Sequence, residues 1–425
     1  MSTDVSEATR PRTRMLRGVV TRLSWGLTDQ AVSSLTNFAV GVVAARTLDI
    51  TGFGVFSLAF VTYGFAVNIS RGLATDPLMV RYSAVAPATW RVGVARSTGA
   101  AVGVGVAAGL LCLLIGLAMD GELGAALLAL GVVLPALLLQ DSWRYGFFAA
   151  GKGGRACAND LVWAAALVPA LAVAGMVPSV SAFVLAWGAA AGVAALFGCV
   201  QTRILPRPLA VRTWYVEQRD LAPRYLVENV SLSGGAQIRM YGLGAIAGLA
   251  DVGAVRGAEL LLGPFFMVLM GVGLFAVPEA ARMLRRSTQK LTSFCLALGA
   301  GQAVLAMLWG AALILLLPDA VGRELLGASW EPAAALLLPA SLTIMNASFG
   351  TGAGAGLRAL GAARRSVRAQ LVVSLAYVTG GLGGAVAAGA VGSAWGCAVA
   401  TLIGAGVWWW HLGAGVREHL EGAAA

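Results

Sequence analysis

The sequence contains a run from Ala369 to Val416 without a single Lys, Arg, Asp or Glu, 48 residues in all. As one α-helix this run would be about 70 Å long at ~1.5 Å per residue. That length is enough for two crossings of a hydrocarbon core of roughly 30 Å and too much for one. We therefore predict an integral membrane protein whose last apolar run turns back on itself, with the break at Gly389–Ser393.

Composition agrees with this prediction. Only 12% of the 425 residues are charged and 58% are hydrophobic, whereas a soluble domain carries about 25% charged residues. The net charge of +10 does not indicate nucleic-acid binding, because the basic residues recur at intervals between apolar runs. The five cysteines lie far apart without the spacing of metal ligands, so we predict neither disulfides nor a metal site.

Twelve apolar runs are long enough to span a membrane. Their approximate cores are 23–45, 52–71, 97–119, 123–143, 158–177, 179–202, 224–247, 253–277, 291–317, 332–357, 368–389 and 391–412. Lys and Arg concentrate in the N-terminal tail and in every second loop, which predicts that those segments and both termini are cytoplasmic. We expect a multi-pass protein of the bacterial plasma (inner) membrane.

The second half of the chain repeats features of the first. When the sequence is shifted by 201 positions, Pro77 falls on Pro278 and Arg81 on Arg282. This match predicts an internal duplication of six helices, with the repeats in the same orientation around a central cavity. The predicted parts are a tail over 1–21, a bundle over 22–203, a basic linker over 204–223, a bundle over 224–412 and a tail over 413–425.

Two stretches resemble a known family. The first is the turn between the first two helices, with Ala44-Ala45-Arg46-Thr47-Leu48 and Gly52-Phe53-Gly54. The second runs from Asp141-Ser-Trp-Arg144 through Gly151-Lys152 to Asp160. With the twelve spans, they resemble polysaccharide flippases of the multidrug/oligosaccharidyl-lipid/polysaccharide exporter superfamily. The resemblance implies transport of undecaprenyl-pyrophosphate-linked or related lipid-linked sugars, or export of drugs in antiport with cations, and does not choose between them.

Charged residues inside the predicted spans are the candidate site residues, because such charges are costly in a bilayer. A first set is Arg239, Arg256 and Glu259, with Arg46 at the end of the first span. Guanidinium groups suit a pyrophosphate or an acidic sugar, since their planar donors bind two oxygens at once. The alternative is an Arg256–Glu259 pair on one helix face and an Arg46 side chain that reaches the headgroups.

Asp29 and Glu228 form a second set, at nearly matching places in the two repeats. They are candidates for proton or sodium coupling. The alternative is structural pairing with nearby arginines such as Arg22 or Arg224. For Asp141 with Arg144, and for Asp160 with Arg155, we favour ion pairs at the inner interface.

The sequence therefore predicts a transporter, not an enzyme, that flips a lipid-linked sugar for cell-surface polysaccharide assembly. A cation-coupled multidrug exporter of the same fold is the alternative, and a membrane glycosyltransferase or polysaccharide polymerase ranks third. A non-transporting scaffold is a further alternative. We expect no cofactor beyond a coupling proton or sodium ion. The expected partners are the lipid-linked sugar, membrane lipids, glycosyltransferases and a polymerase, without nucleic acid.

Overall fold

The computed structural model describes residues 10–83 and 85–424 and is α-helical across them, with no β-strand in this part of the chain. Residues 1–9 of the predicted N-terminal tail, and residue 425 of the C-terminal tail, lie outside the described residues. The helices are α1 (Arg10–Thr47), α2 (Ile50–Ser70), α3 (Asp76–Tyr82), α4 (Pro87–Ala118), α5 (Gly121–Ala149), α6 (Gly153–Met176), α7 (Val180–Thr202), α8 (Val211–Glu217), α9 (Ala222–Ala247), α10 (Leu249–Leu284), α11 (Thr288–Leu315), α12 (Asp319–Leu326), α13 (Trp330–Ala359) and α14 (Ala363–Ala424).

These helices confirm the predicted all-α fold. Each of the twelve predicted spans falls on a long helix, with the last two in the two arms of α14. The backbone of α14 is non-helical at Ala388 and Gly389, so the break overlaps the predicted one at Gly389. By length and composition, eight helices of the described part could cross a membrane; this number excludes α1, α9 and α10 and counts α14 once.

Two glycines bring the first turns of α2 and α10 into direct backbone contact. A Cβ added to Gly54 would lie 1.8 Å from the carbonyl oxygen of Leu249, and one added to Gly253 would lie 2.4 Å from the carbonyl oxygen of Ile50. Real Cβ atoms do not approach this closely, so only glycine fits either position. The predicted turn between α1 and α2 is closed by the Asp49 carboxylate, which accepts a hydrogen bond from the backbone N–H of Gly52 at 2.8 Å.

The chain forms two compact units. Unit 1 comprises residues 1–40 and 62–232, and unit 2 comprises residues 41–61 and 233–425. Helices α1, α2 and α9 therefore each contribute residues to both units. The predicted bundle boundaries at 22–203 and 224–412 stay a prediction.

In unit 1, the linker between the predicted bundles folds as part of the unit. It contains α8, whose Trp214 is fully buried and donates its indole N–H to the carbonyl oxygen of Leu73 at 3.0 Å. Trp214 also stacks on Tyr82, with ring centroids 5.9 Å apart. Burial of a tryptophan with its N–H satisfied anchors the linker on the helices before it.

In unit 2, the two arms of α14 pack against each other through glycines. Added Cβ atoms on Gly380 and Gly384 would lie 2.8 and 2.0 Å from backbone oxygens of the opposite arm. The carboxylate of Asp251 accepts a hydrogen bond from the N–H of Ala390 at 2.9 Å, just after the break. The apolar run of α14 thus turns at Gly389, where the Asp251 carboxylate of α10 accepts the backbone N–H that follows the break.

Candidate functional site

Unit 2 contains a cluster of three charged side chains, which we call the arginine cluster: Arg239 from α9, and Arg256 and Glu259 from α10. Arg239 Nη2 donates a hydrogen bond to Glu259 Oε1 at 2.6 Å. Arg256 Nη1 lies 3.4 Å from Glu259 Oε2. One carboxylate is thus shared by two guanidinium groups. With both arginines and Glu259 ionised, the cluster carries one net positive charge.

Arg239 is the most deeply buried member, with 3% of the residue exposed. Its Nε is buried and has no hydrogen-bond partner among the described residues. Its Cζ lies 5.4 Å from the ring centroid of Tyr377, and the Arg256 Cζ lies 4.8 Å from that of Phe60. These aromatic rings stabilise the cations without supplying a negative charge. The cluster can therefore accept a further anionic group.

The α14 helix fixes the stem of Arg239. A Cβ built on Gly381 would lie 2.9 Å from Arg239 Cδ and 3.0 Å from Cys397 Sγ. The aliphatic part of Arg239 therefore lies against the bare backbone at this glycine. The guanidinium position depends on the absence of a side chain at Gly381, a contact that sequence reasoning missed.

The remaining predicted member of this set, Arg46, lies elsewhere in unit 2. It forms an ion pair with Glu324 at 2.6 Å, and both side chains are more than half exposed. Arg323 forms a similarly exposed pair with Glu331 at 3.0 Å. The structure therefore brings together three of the four residues predicted for substrate binding, and it joins Arg46 to α12.

Unit 1 contains a second cluster, of opposite charge, which we call the carboxylate cluster. Its acids are Asp29 from α1, Asp141 from α5 and Asp160 from α6, and its bases are Arg71 and Arg144. Arg144 Nη2 donates to Asp29 Oδ2 at 2.6 Å, and Arg144 Nε lies 3.2 Å from Asp160 Oδ2. Arg71 binds both oxygens of Asp141, at 2.8 and 3.1 Å.

Local helix geometry positions three of these groups, which are Arg71, Asp141 and Arg144. The chain between α2 and α3 forms a π-helical turn over Arg71–Thr75, a feature that often marks functional positions in helices. Asp141 and Arg144 lie three residues apart on α5, and their nearest charged atoms are 3.7 Å apart. The Gln140 amide adds a neutral donor, at 2.8 Å from Asp160 Oδ1.

The carboxylate cluster is short of donors. Three carboxylates face two guanidinium groups, so full ionisation leaves one net negative charge. Asp29 Oδ1 and Asp160 Oδ2 are buried and accept no hydrogen bond from the described residues. Buried oxygens in this state gain most from a proton or a small cation. No group of three or more His, Cys, Asp or Glu in the described part is placed to hold a metal ion.

The pairings predicted for these acids need correction. Asp29 pairs with Arg144 and not with Arg224, and Asp160 pairs with Arg144 and not with Arg155. The side chain of Arg22, the other partner predicted for Asp29, lies outside the described residues. The predictions paired each acid with an arginine nearby in sequence. The packing of α1, α5 and α6 instead brings Asp29 and Asp160 to Arg144, which is distant in sequence. Asp141 does lie near Arg144, as predicted, yet its hydrogen bonds come from Arg71.

Glu228, the second predicted coupling residue, is exposed on α9 and lacks a hydrogen bond or ion pair among the described residues. The next residue, Asn229, donates instead to Asp76 Oδ2 at 2.7 Å. The structure thus places Asp29 in a buried charged network and leaves Glu228 outside it.

Sequence reasoning missed the roles of Arg71 and Tyr377. Arg71 had no part in any site predicted from the sequence, whereas the structure pairs it with Asp141. Its position in an apolar helix, a few residues before Asp76-Pro77, was the available signal. For Tyr377 no sequence signal pointed to Arg239, because the two residues are 138 positions apart (377 − 239).

Several solved structures of membrane transporters have a similar arrangement of helices. A multidrug resistance MATE family transporter of the MOP superfamily, in its inward-facing conformation, matches with a TM-score of 0.64 at 15% identity, over 91% of this chain and 96% of that chain. The lipid II flippase MurJ matches with a TM-score of 0.65 at 11% identity, over 90% and 86%. The chain has the fold of the MOP superfamily.

The MOP fold is the one that the sequence resemblance implied, so that expectation is confirmed. A further MOP superfamily transporter, from Pyrococcus furiosus Vc1, has a TM-score of 0.54 at 14% identity, over 93% of this chain and 94% of that chain. At these identities the likeness establishes the fold alone. No protein-family model matches the sequence. No curated protein matches it either.

Proposed function

We propose that this protein is an alternating-access transporter that flips a polyprenyl-pyrophosphate-linked oligosaccharide, or a related lipid-linked sugar, across the bacterial plasma membrane. The arginine cluster is the observation that carries this proposal. Arg239 is a buried cation that shares the Glu259 carboxylate with Arg256. A buried charge without a full partner is costly, and a pyrophosphate would relieve that cost through bidentate hydrogen bonds.

The chemistry assigned to this protein is binding and movement, not bond making. The MOP fold is that of transporters such as the MATE protein and the lipid II flippase MurJ. The lipid II flippase supports a lipid-linked substrate here by analogy of fold. In this proposal both termini are cytoplasmic, and glycosyltransferases and a polymerase supply and consume the lipid-linked sugar.

The carboxylate cluster would couple flipping to a proton or sodium gradient. Asp29 is the predicted coupling acid that lies in this cluster. Its Oδ1 is buried without a donor among the described residues, and its Oδ2 is bound by Arg144. A cation bound there would neutralise the net charge of the cluster. Glu228 is a weaker candidate for this role, since it is exposed and outside the network.

The test is flipping of a fluorescent polyprenyl-pyrophosphate sugar in proteoliposomes. We expect wild type to move it and Arg239→Ala to reduce the rate by about tenfold or more, because a charge-assisted hydrogen bond contributes about 1.5–3 kcal/mol. Arg323→Ala, which removes an equal charge from an exposed pair, is the control and should retain activity.

A second pair of variants leaves every charge in place. Gly381→Ala puts a methyl group within 3.0 Å of the Arg239 stem, whereas Gly383→Ala, on the same arm of α14, meets nothing within 4 Å. We expect only the first to slow flipping. Equal rates in both, with Arg239→Ala also active, would exclude the arginine cluster as the substrate site.

A cation-coupled multidrug exporter is the second candidate, favoured by the net negative carboxylate cluster and by the MATE-like fold. Liposomes containing the wild-type protein would establish this second function if they exchanged cationic dyes for protons or sodium and moved no lipid-linked sugar. Asp29 would then become the residue to substitute first.

A further inference from the structure

We propose that the linker and the start of α4 form a binding site for the phosphate headgroup of an anionic phospholipid in the inner leaflet. The site is a cavity of about 630 Å³ in unit 1. Its charged residues are Arg91 on α4, Arg203 at the end of α7 and Arg207 on the linker. This inference is independent of the transported substrate.

Among the described residues, no carboxylate neutralises the three guanidinium groups. Within the described residues, Arg203 and Arg207 form no ion pair, and Arg91 donates only to the backbone carbonyls of Thr202 and Arg203, at 3.0 and 2.6 Å. No Asp or Glu lines the cavity. A cavity with three positive charges and no acid is complementary to a phosphate.

The acids of the same linker are already engaged elsewhere. Glu217 accepts from Arg96 at 2.6 Å, and Asp220 accepts from Arg81 at 2.6 Å. Both partners belong to the helices that hold the linker, α4 and α3. The linker acids therefore pair with α3 and α4, while Arg207 of the linker and the adjacent Arg203 line the cavity.

The linker backbone beside the cavity packs closely on α4. The N–H of Arg207 donates to the carbonyl oxygen of Ala95 at 2.8 Å. A Cβ on Gly99 would lie 2.2 Å from the Arg207 carbonyl oxygen, so the linker lies directly on the α4 backbone. Arg203 adopts a left-handed conformation with φ of 53° at the end of α7. Such fixed backbone preorganises the arginines and lowers the entropy lost on binding.

The exposed apolar side chains around the cavity favour a phospholipid over a soluble phosphate as its ligand. Leu205 and Val92 line the cavity and are 76% and 40% exposed, and the neighbouring Leu209 is fully exposed. Apolar side chains beside arginines are typical of the bilayer interface, where acyl chains cover the former and headgroups bind the latter. We therefore assign an anionic phospholipid, with its phosphate on the arginines and its chains along Leu205 and Leu209.

The experiment compares lipid retention by the full-length protein in native mass spectrometry, after incubation with phosphatidylglycerol or with phosphatidylcholine. We expect wild type to retain phosphatidylglycerol preferentially, and Arg203→Gln/Arg207→Gln to lower its retention roughly tenfold, since each basic residue adds to anionic lipid affinity. The control is Arg212→Gln, which removes a linker charge outside the cavity and should retain the lipid like wild type.

Two further measurements separate the possible occupants and guard against misfolding. Leu205→Ser should weaken phosphatidylglycerol binding, and Arg203→Lys/Arg207→Lys should retain most of it. If Arg212→Gln lowered phosphatidylglycerol retention equally, the effect would be one of general surface charge, and the proposed site would be wrong. Full displacement of the lipid by millimolar inorganic phosphate, with no effect of Leu205→Ser, would overturn the lipid assignment.

Discussion

Arg239 donates a hydrogen bond to Glu259 at 2.6 Å, and this carboxylate also lies 3.4 Å from Arg256. The arginine cluster therefore keeps one net positive charge, because a single carboxylate faces two guanidinium groups. Glu259 thus has two effects: it makes burial of Arg239 tolerable, and it competes with any anion that binds there. The first prediction separates these effects.

Glu259→Gln should lower the thermal stability of the purified protein, because it leaves two arginines without a carboxylate. It should also increase the stabilisation produced by pyrophosphate, since an anion bound only by the folded state raises its stability by mass action. The measurement is melting temperature against pyrophosphate concentration. Glu331→Gln, from an exposed pair, is the control. Equal pyrophosphate effects on wild type and Glu259→Gln would argue against anion binding at this cluster.

Arg144→Gln should be among the most destabilising single charge removals. It leaves Asp29 and Asp160 buried without their guanidinium partner, and breaking a buried pair costs about 3–5 kcal/mol. Arg282→Gln is the control, because its pair with Glu279 is exposed and such pairs contribute about 0–1 kcal/mol. Thermal unfolding in detergent measures both, and adding Asp160→Asn to Arg144→Gln should restore part of the loss. A small effect of Arg144→Gln would mean that water reaches this cluster.

Asp29→Asn should weaken the dependence of transport on an ion gradient. The substitution removes the net negative charge of the carboxylate cluster, so binding of a proton or sodium ion there loses its driving force. The measurement is the ratio of transport rates with and without an imposed pH or sodium gradient. Asp220→Asn removes an exposed acid and serves as the control. A gradient dependence that persists in Asp29→Asn would assign coupling to another site.

Gly54→Ala should prevent normal folding. Its methyl group would lie 1.8 Å from the carbonyl oxygen of Leu249, whereas a methyl group at Gly301 in α11 meets nothing within 4 Å. Alanine is favoured over glycine in a helix by about 0.8–1.0 kcal/mol, so Gly301→Ala should be neutral or stabilising. Yield of monodisperse protein after detergent extraction measures the difference. Similar yields for the two variants would contradict the close contact between α2 and α10.

The sequence predicted the long helices well because the membrane restricts their length and composition. The break in α14 was foreseen from the length of one charge-free run, and the structure has it at Ala388 and Gly389. Candidate residues such as Arg239 and Asp29 could be identified because a charge in an apolar helix needs an explanation.

The partners of these charges could not be predicted from sequence. Asp160 was assigned to Arg155, five residues away, but it lies nearer Arg144 on another helix. Which faces of two helices meet depends on packing throughout a unit, and a single sequence does not reveal that packing. Arg256 and Glu259, three residues apart on one helix, are the exception, because helical periodicity alone brings them together.

Helices α1, α2 and α9 each contribute residues to both units. This matters if the gene is divided in the linker into two fragments. A fragment that ends in the linker would carry residues 41–61, which belong to unit 2, and would lack residues 224–232, which belong to unit 1. Neither half of such a split gene encodes a whole unit. The two fragments should therefore be degraded when expressed singly and should accumulate when co-expressed.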